Sequence, residues 1–287
     1  CGKNLSTETF STLGIQKKTN YALRESMLKE EFISELLDGM PVPPKYFRDN
    51  AMMNKLGYNP LEDVIKKGNK ALEIDEFKNL IINPDIILLD VRHQKDFIKK
   101  HIPNSIFIGL NGNFAPWVGN IIQDTNKKII LITPKGKESE AITRLSRVGF
   151  DNCLGYLKGG VKKWEKEGNI ISSIKTIKSK NFVDILKLRK INILDVRKES
   201  EYSNKHIEGA LNIPLSTISE KSDQIKFEDE IYVHCAGGYR SVIAISILNK
   251  MGYGKMINIT EGFNEILKCD LNENCYNSEH NTSCDNT

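Results

Sequence analysis

No apolar run in the 287-residue chain approaches the ~18 residues that a transmembrane helix needs, so no membrane span is expected. The chain does not open on Met, and Cys1-Gly2-Lys3-Asn4-Leu5 lacks the apolar core of a signal peptide. A chain cut from a longer protein is the expectation, with a processed lipoprotein starting at Cys as the alternative. The six cysteines form no CxxC pair and no regular framework, so reduced thiols and a cytoplasmic setting are expected. Cys269, Cys275, His280 and Cys284 near the end fit no standard zinc spacing, so no metal site is expected. Charge of one sign is also lacking. The net charge of +4 comes from 41 basic and 37 acidic side chains, and short runs such as Lys127-Lys128 and Lys162-Lys163 have acids nearby. Such runs read as solvated faces, not as a nucleic-acid footprint. What remains, with 39% hydrophobic and 27% charged residues, suits a soluble globular protein of two domains and an extra segment.

What is there is an internal repeat with a period of about one hundred residues. Ile86-Ile87-Leu88-Leu89-Asp90-Val91-Arg92 recurs as Ile191-Asn192-Ile193-Leu194-Asp195-Val196-Arg197. His101-Ile102-Pro103-Asn104-Ser105-Ile106 recurs as His206-Ile207-Glu208-Gly209-Ala210-Leu211. The apolar run Ile129 to Thr133 matches Ile231 to Cys235, and Tyr156 to Gly160 matches Ile259 to Phe263. Within each copy, short apolar runs alternate with amphipathic stretches. That pattern predicts two α/β domains, each a parallel sheet flanked by helices, at 69–174 and 176–271. Residues 1–68 form a mainly helical arm, with a helix from Leu28 to Leu37 and an extended stretch at Pro41-Val42-Pro43-Pro44. Residues 272–287 form a polar tail that is either disordered or docked along the last domain.

Chemistry concentrates in Cys235-Ala236-Gly237-Gly238-Tyr239-Arg240-Ser241, between a buried strand and an apolar-periodic helix. In parallel sheets, ligands bind beyond the C-terminal ends of the strands. The two glycines let the backbone curl until successive N–H groups converge, which makes an anion cradle at a helix N-terminus. A thiol at the rim of such a cradle is held as the thiolate, the reactive species. Arg240 adds a permanent charge and a forked donor for a sulfonate or thiosulfonate oxygen, and Tyr239 is placed at the pocket entrance. His234 points to the opposite sheet face and is a poor base for Cys235. Asp90, Arg92, Asp195 and Arg197 are expected to knit loops together at the strand ends. His101 and His206 recur whether or not a nucleophile follows, which argues for structural roles.

On these residues the second copy resembles a rhodanese-family sulfurtransferase domain. The marks are Leu194-Asp195-Val196-Arg197, His206 through Pro214, the Cys235 loop and the Gly262 segment. The resemblance implies that Cys235 takes sulfane sulfur from a donor, becomes a persulfide, and passes the outer sulfur to a thiophilic acceptor. The loop residues Ala236 to Ser241 would bind the substrate. No cofactor is implied in this chain. Dual-specificity phosphatases on a similar scaffold place five residues between Cys and Arg. Here there are four, Ala236 to Tyr239, which suits a sulfur-centred group better than a phosphate ester. Arsenate reductases are a further alternative, as is a non-catalytic interaction module.

The first copy fails at the decisive position. Its loop reads Thr133-Pro134-Lys135-Gly136-Lys137-Glu138-Ser139, with Thr for the nucleophile, Glu for the Arg, and Pro134 lacking an N–H. A silent, structural copy is expected, and Cys153 reads as core. The arm is similar to the end of a metallo-β-lactamase-fold domain, through Cys1 to Ser6, Gln16 to Asn20 and Pro43 to Phe47. The closest type is the one fused to tandem rhodanese domains in bacterial persulfide dioxygenases. That resemblance implies an upstream partner domain with non-haem iron. This chain has no HxHxDH motif and no His before residue 93, so the iron is expected elsewhere. The expected partners are small-molecule sulfur donors and acceptors and that upstream domain. Nucleic acid and membrane are not expected, and self-association of the chain is left open.

Overall fold

The computed structural model describes residues 8–24, 26–38, 46–269 and 276–277. The proline-rich stretch 41–44 and the tail residues Cys275, His280 and Cys284 lie outside them. The chain divides into two compact units, Cys1–Pro44 and Lys45–Thr287. In the first, α1 (Leu13–Thr19) starts on Thr12, whose Oγ1 accepts from the Ile15 N–H at 3.3 Å. The expected second helix is present as α2 (Lys29–Leu37), with Glu30 and Glu31 in its positive first turn. Arg24 reaches Glu35 at 2.5 Å, and neither helix buries a residue.

The second unit begins earlier than the repeat suggests. Helices α3 (Tyr46–Leu56) and α4 (Leu61–Gly68) were expected in the arm, yet they are built onto the first copy. Tyr46 is buried so tightly that a Cβ on Gly119 would lie 2.2 Å from its ring. Thr125 Oγ1 donates to Asp49 at 3.2 Å, and the carbonyl of Gly68 lies 3.8 Å from Cys153 Sγ. The second compact unit therefore starts near residue 45, because an apolar stripe (Val64 buried) needs a partner face.

The first copy runs β1 (Ala71–Leu72), α5 (Ile74–Ile81), β2 (Ile86–Asp90), α6 (Gln94–Lys99), β3 (Ile106–Phe107), α7 (Phe114–Ile122), β4 (Lys128–Ile132), α8 (Glu138–Ser146), β5 (Cys153–Leu157) and α9 (Gly160–Lys166). Its sheet is parallel, in the order β1-β5-β4-β2-β3. The second copy runs β6 (Lys175–Ile177), α10 (Ser179–Leu188), β7 (Asn192–Asp195), α11 (Glu199–Asn204), β8 (His206–Ile207), β9 (Leu211–Asn212), β10 (Ile231–His234), α12 (Tyr239–Lys250), β11 (Met256–Ile259) and α13 (Gly262–Ile266). Its order, β6-β11-β10-β7-β9, is the same arrangement, also parallel. In the tail, β12 (Tyr276–Asn277) pairs antiparallel with β8, so this part of it docks. It meets His206 where Ser172 bridges His101 in the first copy.

The two copies share one core. Phe107, Leu110 and Val118 of the first pack in the same cluster as Ile231, Val233 and Val242 of the second. The reason lies in α12, which buries eight consecutive residues, Ser241 to Leu248. A helix facing water on one side cannot do that; its counterpart α8 buries only Ala141, Ile142 and Leu145. The periodic helix expected here is thus apolar all round, because the first copy covers its outer face. Ser246 Oγ accepts from the Phe107 N–H at 3.0 Å and so satisfies an edge donor of β3. Among the described residues no helix is long and apolar enough to cross a membrane.

Candidate active site

Strand β10 alternates its side chains, so Ile231, Val233 and Cys235 join the shared core while Tyr232 faces the other cluster. His234, fully buried, stacks against Phe263 at 5.7 Å on that opposite side. Its burial pushes its pKa down, against the pull of Asp195, whose Oδ2 lies 3.7 Å from Nε2. His234 is therefore no base for Cys235. His234 and Asn258 are the two buried side chains among the described residues whose polar atoms lack a hydrogen-bond partner. Such positions are where ordered water is usually found.

Cys235 directly follows β10, with 1% of its surface exposed. The Gly238 N–H donates to its Sγ at 3.1 Å, and Ser241 Oγ lies 3.7 Å away. The loop's carbonyls are turned outward and tied. Phe263 N–H donates to Cys235 O at 2.7 Å, and Asn264 N–H to Ala236 O at 3.0 Å. Gly238 O accepts from Ser241 Oγ at 3.1 Å. With the carbonyls held on the outside, the N–H of Gly238 can face the sulfur, as a nest requires. The two glycines differ. Gly238 has φ +83° and a Cβ there would lie 1.9 Å from Thr260 O, whereas nothing lies within 4 Å of a Cβ on Gly237. The expectation that both are needed for the curl holds for Gly238 alone.

Two loop side chains stand elsewhere than expected. Arg240 does not present a free fork: its Nη1 and Nη2 donate to the two oxygens of Glu201 at 2.6 and 2.7 Å. Held by Arg240, Glu201 is pulled from 4.5 to about 2, and Arg240 is pushed up by the same bond. A depressed carboxylate stabilises the fold fully above its ordinary value. This pair is thus intact at neutral pH and is lost only as pH falls from 4.5 toward 2. Tyr239 is not at an entrance. It is turned to the first copy, with its hydroxyl on Gly109 O at 3.3 Å and its ring 5.6 Å from Phe107. Reading the sequence missed Glu201, although the Lys198-Glu201 spacing at the start of α11 carried a signal: Glu201 Oε2 accepts from the Lys198 N–H at 3.1 Å. It also missed the contact of Gln94, whose Nε2 donates to Gly238 O at 2.6 Å and for which the sequence holds no signal.

The repeated residues behave as twins. Arg197 bonds Asp195 at 2.6–3.0 Å and reaches Lys205 O at 2.9 Å, and Arg92 bonds Asp90 and reaches Lys100 O at 2.7 Å. His101 and His206 each set Nδ1 2.9 Å from the carbonyl four residues back and stack on the ring there, Phe97 or Tyr202. Both pairs knit loops.

In the first copy the nucleophile position is Thr133, and the cradle is already filled. Gly136, left-handed at φ +79° like Gly238, donates its N–H to Glu138 Oε1 at 3.2 Å, and Thr133 Oγ1 donates to the same oxygen at 3.4 Å. A cavity of about 660 Å³ opens over this loop, lined in part by Lys99, Lys135 and Lys162. The carboxylate of Glu138 stands where an anion would sit. Cys153 is core: burial pushes its thiol up to about 11. No group of three or more His, Cys, Asp or Glu among the described residues could hold a metal ion.

Comparison with known proteins gives the family. The Rhodanese-like domain family matches residues 73–167 and 179–269, and the chain belongs to that family, with two copies of its domain. Among relatives, the Bacillus subtilis protein named "Putative sulfur carrier protein YrkF" is 35% identical over 109 residues, covering 38% of this chain and 57% of that protein. Thiosulfate sulfurtransferase PspE of Escherichia coli is 36% identical over 67 residues, covering 23% of this chain and 64% of that one. These matches thus span less than two thirds of either relative. The crystal structure of a rhodanese-like domain protein from Staphylococcus aureus aligns at 26% identity and a TM-score of 0.30, covering 32% of this chain and 91% of its own.

Proposed function

We propose that the chain is a sulfurtransferase whose second copy carries sulfane sulfur on Cys235. The observation that carries this reading is the Gly238 N–H aimed at Cys235 Sγ within a loop tied by its carbonyls. The relatives named as thiosulfate sulfurtransferases support it. The Cys235 thiolate attacks the outer sulfur of a donor such as thiosulfate or a small persulfide. A bond forms between the two sulfurs, the donor's S–S bond breaks, and sulfite or thiolate leaves with the electron pair. A thiophilic acceptor (sulfite, a thiol or cyanide) then takes the outer sulfur, and Cys235 returns to thiolate. No external oxidant or reductant enters. The setting proposed is sulfide detoxification in a cytoplasm, beside an upstream metallo-β-lactamase-fold domain that would hold the iron of a persulfide dioxygenase.

The test is to incubate the protein with thiosulfate or glutathione persulfide and measure its mass. A gain of one sulfur, absent in Cys235→Ser, is expected. No adduct, with no thiocyanate formed from cyanide, would sink the reading and leave the interaction module.

Glu201 tempers this site by neutralising Arg240. Glu201→Gln keeps an acceptor but removes the negative charge. The half-saturating thiosulfate concentration is expected to fall about two- to fivefold at low salt, and the gain to shrink as salt rises. Steady-state titrations at two ionic strengths check it.

A further inference from the structure

We propose that Gln94, a residue of the silent first copy, is a positioning residue for the Cys235 loop of the second. The inference rests on the sulfurtransferase reading and deepens it. Gln94 opens α6, and its Nε2 lies 2.6 Å from the carbonyl oxygen of Gly238. A carbonyl only accepts, so the NH₂ end of the amide must be the one that faces it. Gly238 is the residue whose N–H meets the Cys235 sulfur.

Each loop carbonyl described above has a tie. Those of Cys235 and Ala236 are held from α13, by backbone donors of the same copy. Gly238 has no side chain to lock its left-handed backbone, and its carbonyl is held by Ser241 Oγ and by Gln94. The second tie is the one that comes from outside the domain. It is reinforced by the neighbouring contacts of Tyr239 with Gly109 and Phe107, so the first copy holds the outer edge of the loop at two adjacent residues. The tie fixes the peptide plane that follows Gly238, while the N–H on the sulfur lies in the plane before it. Only the two soft dihedrals of Gly238 separate the planes, so a fixed second plane restrains how far that N–H can swing. The first copy thereby has a task that needs no nucleophile of its own. Gln94 touches neither the sulfur nor a donor; it acts through Gly238.

The test uses the whole chain as wild type, Gln94→Ala, Gln94→Glu and Gln94→Lys. Ala removes the donor, Glu sets an acceptor against a carbonyl, and Lys restores a donor on a longer stem. Two readouts are taken by mass spectrometry: the rate at which thiosulfate loads sulfur on Cys235, and the pH dependence of Cys235 alkylation. A thiolate that loses part of its N–H donor is less stable, so the alkylation midpoint must move up in pH. Loading is expected to slow about three- to tenfold in Ala and further in Glu, with Lys near wild type. The midpoints are expected to follow the same order, with melting temperatures within a few degrees of one another, on the order of what one surface hydrogen bond supplies. Equal loading rates and equal midpoints in all four proteins, whatever their melting temperatures, would overturn the proposal and leave Gln94 a tie between domains. Wild-type protein that takes up no sulfur defeats the sulfurtransferase reading instead, and the alkylation midpoints still decide the role of Gln94. If Gln94→Glu does not fold, the comparison of Ala with Lys decides alone.

Discussion

Gly238→Ala will cost nearly all sulfur loading at Cys235, while Gly237→Ala, one residue earlier, will leave it within about twofold of wild type, since a surface change free of clashes is usually within ~0.5 kcal/mol. The contrast is geometric. At Gly238 the backbone is left-handed, at φ +83°, and the new methyl would lie 1.9 Å from Thr260 O, a backbone atom just past β11 in a residue whose own N–H is tied to Ile177 O. At Gly237 the same methyl meets nothing within 4 Å. Left-handed strain and overpacking together are worth on the order of 3 kcal/mol. The loop can relieve that strain only by withdrawing the Gly238 N–H from the sulfur. Loading rates by mass spectrometry and urea unfolding of the two variants check this. Similar behaviour of both would mean that the loop is not held where the structure puts it.

Arg197→Met is expected to destabilise the protein by about 3–5 kcal/mol, the usual cost of stranding one member of a buried ion pair. Asp195 is fully buried, and the Arg197 guanidinium supplies three of the four hydrogen bonds Arg197 gives it, as well as a tie to Lys205 O. The guanidinium also lies 3.8 Å over the ring of Phe263, the residue whose N–H holds Cys235 O. Removing it therefore loosens both the strand end and the clamp behind the nucleophile. Because the core is continuous across the copies, the loss should appear in one shared unfolding transition. Denaturant unfolding followed by two probes, Trp fluorescence (Trp117 and Trp164, both in the first copy) and circular dichroism, tests both points. A loss under about 1 kcal/mol, the worth of an exposed pair, would show that the pair is not buried as described.

Much of the site was legible because it is written in local patterns. The repeat announces two equal sheets, and alternation along the run Ile231 to Cys235 by itself sets His234 and Cys235 on opposite faces. Thr133 and Glu138 marked the loop that lacks a cysteine, and the structure adds that Glu138 fills it with its own carboxylate. The misreadings share one cause. Tyr239 was assigned to an entrance and Arg240 to a free fork, but the first packs on Gly109 and Phe107 and the second pairs with Glu201. These partners are remote in the chain, and no spacing rule reports them. The packing of residues 46–68 onto the first copy was likewise not legible, since the face that Tyr46 and Val64 bury belongs to helices and strands much further on.

The amino-acid order alone determined the α/β class of the two copies, their common arrangement, and which of the two loops keeps a cysteine. These follow from periodicity and from residue chemistry that acts over a few positions. Only the tertiary structure decided what surrounds Cys235: which glycine has no room for a side chain, where Arg240 spends its charge, and that the first copy reaches Gly238 through Gln94. Those are contacts between segments far apart in the chain, fixed by how α12 is enclosed between two sheets. A run of apolar residues can signal such burial but cannot say which neighbour provides it.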